Sequence, residues 1–139
     1  MRFWDTSGIL PLFVEERASQ AARRLFADDP TVTVWWGTPV ECSSATARLR
    51  REGVLSTADE AETLRLIARL QQVWVEVQPS EELRSVAQRL LRVHSLRGSD
   101  ALQLAAALTW AGGAETAALV TLDERLALAA RLEGFRVLP

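Results

Sequence analysis

TVTVWW (Thr31 to Trp36) is the stretch whose reading decides the fold. A run of β-branched and aromatic residues reads as a strand. Neighbouring side chains of a strand point to opposite faces, so Trp35 and Trp36 face opposite ways. Both are buried only if helices cover both faces, which is the parallel α/β arrangement. Outward from this segment, similar short runs alternate with longer helical stretches. RFWD reads as a first strand, VWVEV (Val73 to Val77) as a third, AALVTLD (Ala117 to Asp123) as a fourth and FRVL (Phe135 to Leu138) as a fifth. Leu83, Val86, Ala87, Leu90 and Leu91 follow helical spacing, as do Leu102, Ala105, Ala106 and Thr109. Two successive helices, one beginning near Pro39 and one over Thr57 to Gln72, are expected between strands two and three. With 139 residues and no repeat or linker, the expectation is one three-layer α/β domain over 1–139.

The chemistry available to this chain is narrow. It holds no lysine and no tyrosine, one histidine and one cysteine. Without lysine there is no Walker A loop, and no G-x-G-x-x-G is present. A single histidine excludes two-histidine RNA cleavage through the 2′-hydroxyl. A Ser-His-Asp triad lacks its G-x-S-x-G elbow. Cys42 alone forms neither an internal disulfide nor a multi-cysteine zinc site, which suits a reducing interior. The N-terminal apolar run is interrupted by Asp5 and Pro11, so neither a signal peptide nor a membrane span is expected, and the protein is expected to be cytoplasmic. The net charge of −2 decides little, because setting four candidate acids aside leaves +2 on the remainder.

Those acids are Asp5, Glu41, Asp100 and Asp123. Each falls where a strand or loop enters a helix. Ligands of open α/β sheets gather beyond the carboxyl ends of the strands, where the strand order reverses. Asp5 closes strand one, Asp123 closes strand four, and Glu41 lies in the first turn after strand two. Asp100 opens the helix of DALQLAAAL. Converging carboxylates without lysine or histidine suit a hard divalent cation, Mg²⁺ or Mn²⁺. Each acid also has a purely structural reading. Thr38-Pro39-Val40-Glu41 fits a capping box, and Asp5, Asp100 and Asp123 fit helix caps. His94, at the end of an amphipathic helix, reads as a packed residue, and Cys42 as core. The remaining arginines read as solvated faces, except Arg97, which immediately precedes Asp100.

FWDTSGIL, TPVECSSATARL, LRGSDALQLAAAL and VTLDERLALAARLEGFRVL resemble, in order and spacing, the four acidic motifs of PIN-domain ribonucleases, and most nearly those of VapC-type toxins. The resemblance spans essentially the whole chain. It implies five parallel strands in the order 3-2-1-4-5, flanked by helices. It also implies Asp5, Glu41, Asp100 and Asp123 around Mg²⁺ or Mn²⁺, with the Thr6 and Thr121 hydroxyls in support; Arg97 is a supporting candidate by its position before Asp100. The implied activity is metal-dependent hydrolysis of RNA by the toxin of a toxin–antitoxin pair. The resemblance implies an antitoxin protein as partner. The apolar surfaces around Leu10, Phe13 and the Leu64/Ile67 segment are candidate contact faces for it or for a homodimer, with ordinary core packing as the competing reading of each. A PIN nuclease that processes RNA without an antitoxin, and a non-catalytic α/β module whose acids are all caps, are the competing expectations.

Overall fold

The structure is a computed structural model that describes residues 1–113 and 116–139. Its strands are β1 (Arg2–Trp4), β2 (Val32–Trp35), β3 (Val75–Val77), β4 (Ala118–Val120) and β5 (Arg136–Leu138). They form a wholly parallel five-stranded sheet in the order β3-β2-β1-β4-β5. The helices are α1 (Thr6–Ile9), α2 (Ser19–Asp28), α3 (Thr38–Arg51), α4 (Thr57–Gln71), α5 (Glu81–Val93), α6 (Gly98–Ala111) and α7 (Glu124–Leu132). A 3₁₀ turn, Leu10–Leu12, continues α1. Fold class and strand order agree with the expectation.

Two cores sandwich the sheet. Phe3, Trp35 and Leu119 pack with Leu83 and Leu90 of α5, Leu104 of α6 and Leu126 of α7. Trp4, Val34 and Val120 pack on the other face with Ile9 of α1, Ala22 of α2, Cys42 of α3 and Ile67 of α4. The consecutive pair Phe3 and Trp4 is fully buried on opposite faces, which is possible only with helices on both sides. Burying such side chains contributes roughly 1.5–3 kcal/mol each.

The tryptophan argument holds for one of its two residues. Trp35 is buried, but Trp36 is 51% exposed. β2 ends at Trp35, so Trp36 lies beyond the covered sheet and its ring meets Trp35 edge-on. The expected third strand is shorter than Val73 to Val77. The N–H groups of Val73 and Trp74 both donate to the Leu70 carbonyl, closing α4 before β3 begins. The fourth strand likewise stops at Val120, and Thr121 to Asp123 turn into α7. Ile67 is core rather than contact surface, while Leu10, Phe13 and Leu64 are half-buried. Among the described residues, no helix is long and apolar enough to cross a membrane.

Candidate active site

The chain runs from β1 outward through β2 to β3, then returns to place β4 on the other side of β1. The strand order therefore reverses between β1 and β4, and the site is built there. Asp5 follows β1 directly and caps α1, with Oδ1 accepting from the Ser7 hydroxyl at 2.8 Å and the Gly8 N–H at 3.2 Å. The Asp5 N–H donates to the Val120 carbonyl at 3.1 Å, which ties it to the end of β4. Asp5 is 6% exposed. Burial pushes its carboxyl from 3.8 to about 7, against the opposing pull of hydrogen bonds from Ser7, Thr121 and Gly8. A cap at a helix end ordinarily faces water. Asp5 combines a capping role with strong desolvation, a combination that makes it a candidate functional position.

A chain of hydrogen bonds joins the ends of β4 and β1. The Asp123 N–H donates to Thr121 Oγ1 at 3.1 Å, and the Thr121 and Ser7 hydroxyls are 3.2 Å apart. Ser7 Oγ also accepts from the Leu122 N–H at 2.7 Å. Asp123 caps α7 through Oδ1, which accepts from the Leu126 N–H at 2.8 Å.

Glu41 does not form the capping box. Gly37 is the cap of α3 and Thr38 is already its first helical residue, so Glu41 lies one position too far along. Its Oε2 accepts instead from the Thr6 hydroxyl at 3.1 Å and from Gln103 Nε2 at 3.2 Å. Burial raises the Glu41 carboxyl, the Gln103 and Thr6 hydrogen bonds oppose this, and the Asp100 charge adds to the rise. Asp100, in the first turn of α6, accepts from the Arg97 N–H at 3.2 Å through Oδ2. Its carboxyl is also raised, first by burial, with the Asp123 charge adding to the rise. The Arg97 N–H and the charges of Arg97 and Arg125 act in the opposite sense. Glu41 thus feels Asp100, and Asp100 feels Asp123.

All four acids gather at one rim of the sheet, with Thr6, Thr121 and Arg97 beside them. Glu41, Asp100 and Asp123 are coupled electrostatically in series, Asp5 is held by hydrogen bonds and burial, and the four form no closed cage. Among the described residues, no three His, Cys, Asp or Glu side chains cluster closely enough to hold an ion as they stand. Asp100 and Asp123 are each drawn back by their own capping bond. The donor set is all oxygen, which fits a hard divalent cation. Cys42 is not a competing ligand or nucleophile, since burial and the charges of Glu41 and Asp5 push its thiol up to about 12. His94 stands apart from the site, with Nε2 2.7 Å from Glu133.

Three site residues escape a reading based on acids alone: Ser7, Gln103 and Arg125. Gln103 alone left a signal, as a polar residue one helical turn after Asp100 in a stretch of alanine and leucine.

The sequence matches the PIN domain family over residues 2–132. No curated protein matches it in sequence. Among solved structures, VapC20 of Mycobacterium tuberculosis, a sarcin–ricin loop cleaving toxin, superposes with a TM-score of 0.70 at 21% identity over 100% of both chains. A toxin–antitoxin complex from Klebsiella pneumoniae gives 0.67 at 16% identity over 91% of each chain. FitAcB from Neisseria gonorrhoeae gives 0.66 at 15% identity, over 100% of this chain and 97% of that one. The match over nearly the whole sequence, on a sheet of this order with four acids at its switch point, places the chain in the PIN domain family.

Proposed function

We propose that this protein is a divalent-metal-dependent endoribonuclease and the toxin of a toxin–antitoxin pair. The observation that carries the reading is Asp5, a nearly buried carboxylate at the switch point, at one rim with three further acids. Their mutual repulsion and desolvation disfavour the ionised set unless a cation joins it. Asp5, Glu41, Asp100 and Asp123 would hold Mg²⁺ or Mn²⁺. The ion supplies a Lewis acid that activates water and offsets charge on the phosphodiester. Ser7 and Thr6 fix the Asp5 and Glu41 carboxylates. Thr121 sets the turn that carries Asp123, and Arg97 stands ready for an RNA phosphate.

The fold likeness to VapC20 supports RNA as the substrate, and the likeness to a toxin–antitoxin complex supports a protein partner. A groove of about 460 Å³ lies between the 3₁₀ turn, α2 and α4, lined by Leu12, Phe13, Phe26 and Leu70 with Arg23 and Arg69. It is the surface we assign to the antitoxin. The test incubates purified protein with total RNA and sequences the products. Cleavage is expected with Mg²⁺ or Mn²⁺ and none in excess chelator, with 5′-phosphate ends on the products. Cleavage that survives the chelator would overturn the metal mechanism.

A further inference from the structure

Gln103 is buried to 1% exposure in α6, among Ala101, Leu104, Ala105, Ala106 and Ala107, all fully buried. A buried amide is costly unless its polar atoms are paired, and an aliphatic side chain would suit these surroundings better. Among the described residues, its side-chain hydrogen bonds run to Glu41, to Thr6 beside it and to Thr38 at the start of α3. Nε2 donates to Glu41 Oε2 at 3.2 Å, Thr6 Oγ1 at 3.3 Å and Thr38 Oγ1 at 3.4 Å. Those partners come from α1 and α3, on the opposite layer, so Gln103 reaches across the end of the sheet to bind them. Its Oε1 is buried and has no partner among the described residues. A glutamine kept only to satisfy the core would leave neither amide atom orphaned. The carboxylate of Glu41 sets the orientation, since only the NH₂ side can face it.

We infer that Gln103 is a positioning residue of the metal site, whose amide clamps Glu41 through Oε2 so that Oε1 stays uncommitted for the cation. This rests on the proposed function. Thr6 shares the clamp, because its hydroxyl donates to the same Oε2 and accepts from Gln103. Partners of this kind, which orient a ligand without touching the ion, typically contribute 10–100-fold to metal affinity.

The experiment titrates Mn²⁺ into wild type, Gln103→Met and Gln103→Leu by calorimetry, and measures RNA cleavage against Mg²⁺ concentration. Both variants replace the amide with an apolar group of similar size, so one guards against misfolding of the other. The expected result is a metal-free Tm no lower than wild type and an Mn²⁺ Kd raised ~10–100-fold. The Mg²⁺ requirement should rise in parallel while KM for RNA stays unchanged. Wild-type Mn²⁺ affinity in a folded variant would overturn the role of Gln103 and leave the nuclease reading intact. Failure of wild type itself to bind Mn²⁺ would overturn both.

Discussion

Asp5 is a helix cap and a buried acid at once, and the two roles are separable by substitution. Capping needs only an acceptor oxygen for Ser7 and Gly8, which asparagine keeps. Cation binding needs the charge, which asparagine lacks. Asp5→Asn should therefore reduce RNA cleavage more than ~100-fold, beyond the range of losses typical of supporting partners. In chelator its Tm should equal or exceed that of wild type, because a desolvated carboxyl is replaced by a neutral one. Differential scanning calorimetry beside a cleavage assay would decide it, and a marked fall in Tm would mean the charge holds the fold. Glu41→Gln, Asp100→Asn and Asp123→Asn follow the same logic. Full activity in Glu41→Gln would place Glu41 outside the site, despite its bonds to Thr6 and Gln103.

At the scale of elements, the site depends on how closely α1 rides on β4. A Cβ on Gly8 would stand 2.9 Å from the Val120 carbonyl oxygen and 3.0 Å from its Cγ1. That oxygen also accepts the Asp5 N–H, so neither side yields easily. Gly8→Ala should lower stability by about 1–3 kcal/mol, visible as a Tm drop of several degrees, and should weaken cleavage by displacing Asp5. A wild-type Tm would show that the contact relaxes freely. On the far side of the sheet, Glu133 follows α7 and accepts a two-pronged bond from Arg89 of α5, at 3.1 and 2.8 Å, as well as its contact with His94. The Arg89 hydrogen bond holds the Glu133 carboxyl below its ordinary 4.5, with His94 and the Arg89 charge adding to this and partial burial opposing. An acid depressed in the native state stabilises above its ordinary value and loses that contribution as pH falls through the native one. Glu133→Gln should thus lower Tm modestly at pH 7 and by less and less below about pH 4.5. A deficit that stays constant down to pH 3 would mean the loss is one of packing.

For the molecule as a whole, the site lies at one rim of the sheet and the apolar groove among α2, α4 and the 3₁₀ turn. An inhibiting partner that fills the groove gains hydrophobic contact, and a guanidinium it delivers to the acids would pair with them bidentately. Co-expression with the product of an adjacent gene should give an inactive, stable complex, and the chain alone should run as a dimer. Size-exclusion chromatography with light scattering measures both. A monomer that binds no such product would favour an RNA-processing nuclease without an antitoxin.

Much of this architecture was legible because its signals are local. A β-branched run marks a strand whatever it later pairs with, and an acid between strand and helix marks a rim position by connectivity alone. The placement of Asp5, Glu41, Asp100 and Asp123 at helix starts is therefore legible without coordinates, as are all five strands to within a few residues. Trp36 is exposed despite the pattern because alternation tells which face a side chain points to, not where the covering helices stop. The capping box at Thr38 is off by one residue, because α3 already begins at Thr38 with Gly37 as its cap. Gln103 shows only as a polar residue in an apolar stretch and Ser7 shows nothing, since their long-range partners lie 62 and 114 residues away, at Glu41 and Thr121. Desolvation of Asp5 is likewise a property of the layers that close around it. Positions along the chain follow from local periodicity and turn chemistry. Burial, hydrogen-bond partners and the charge each acid can bear depend on which distant elements meet, and only folding brings them together.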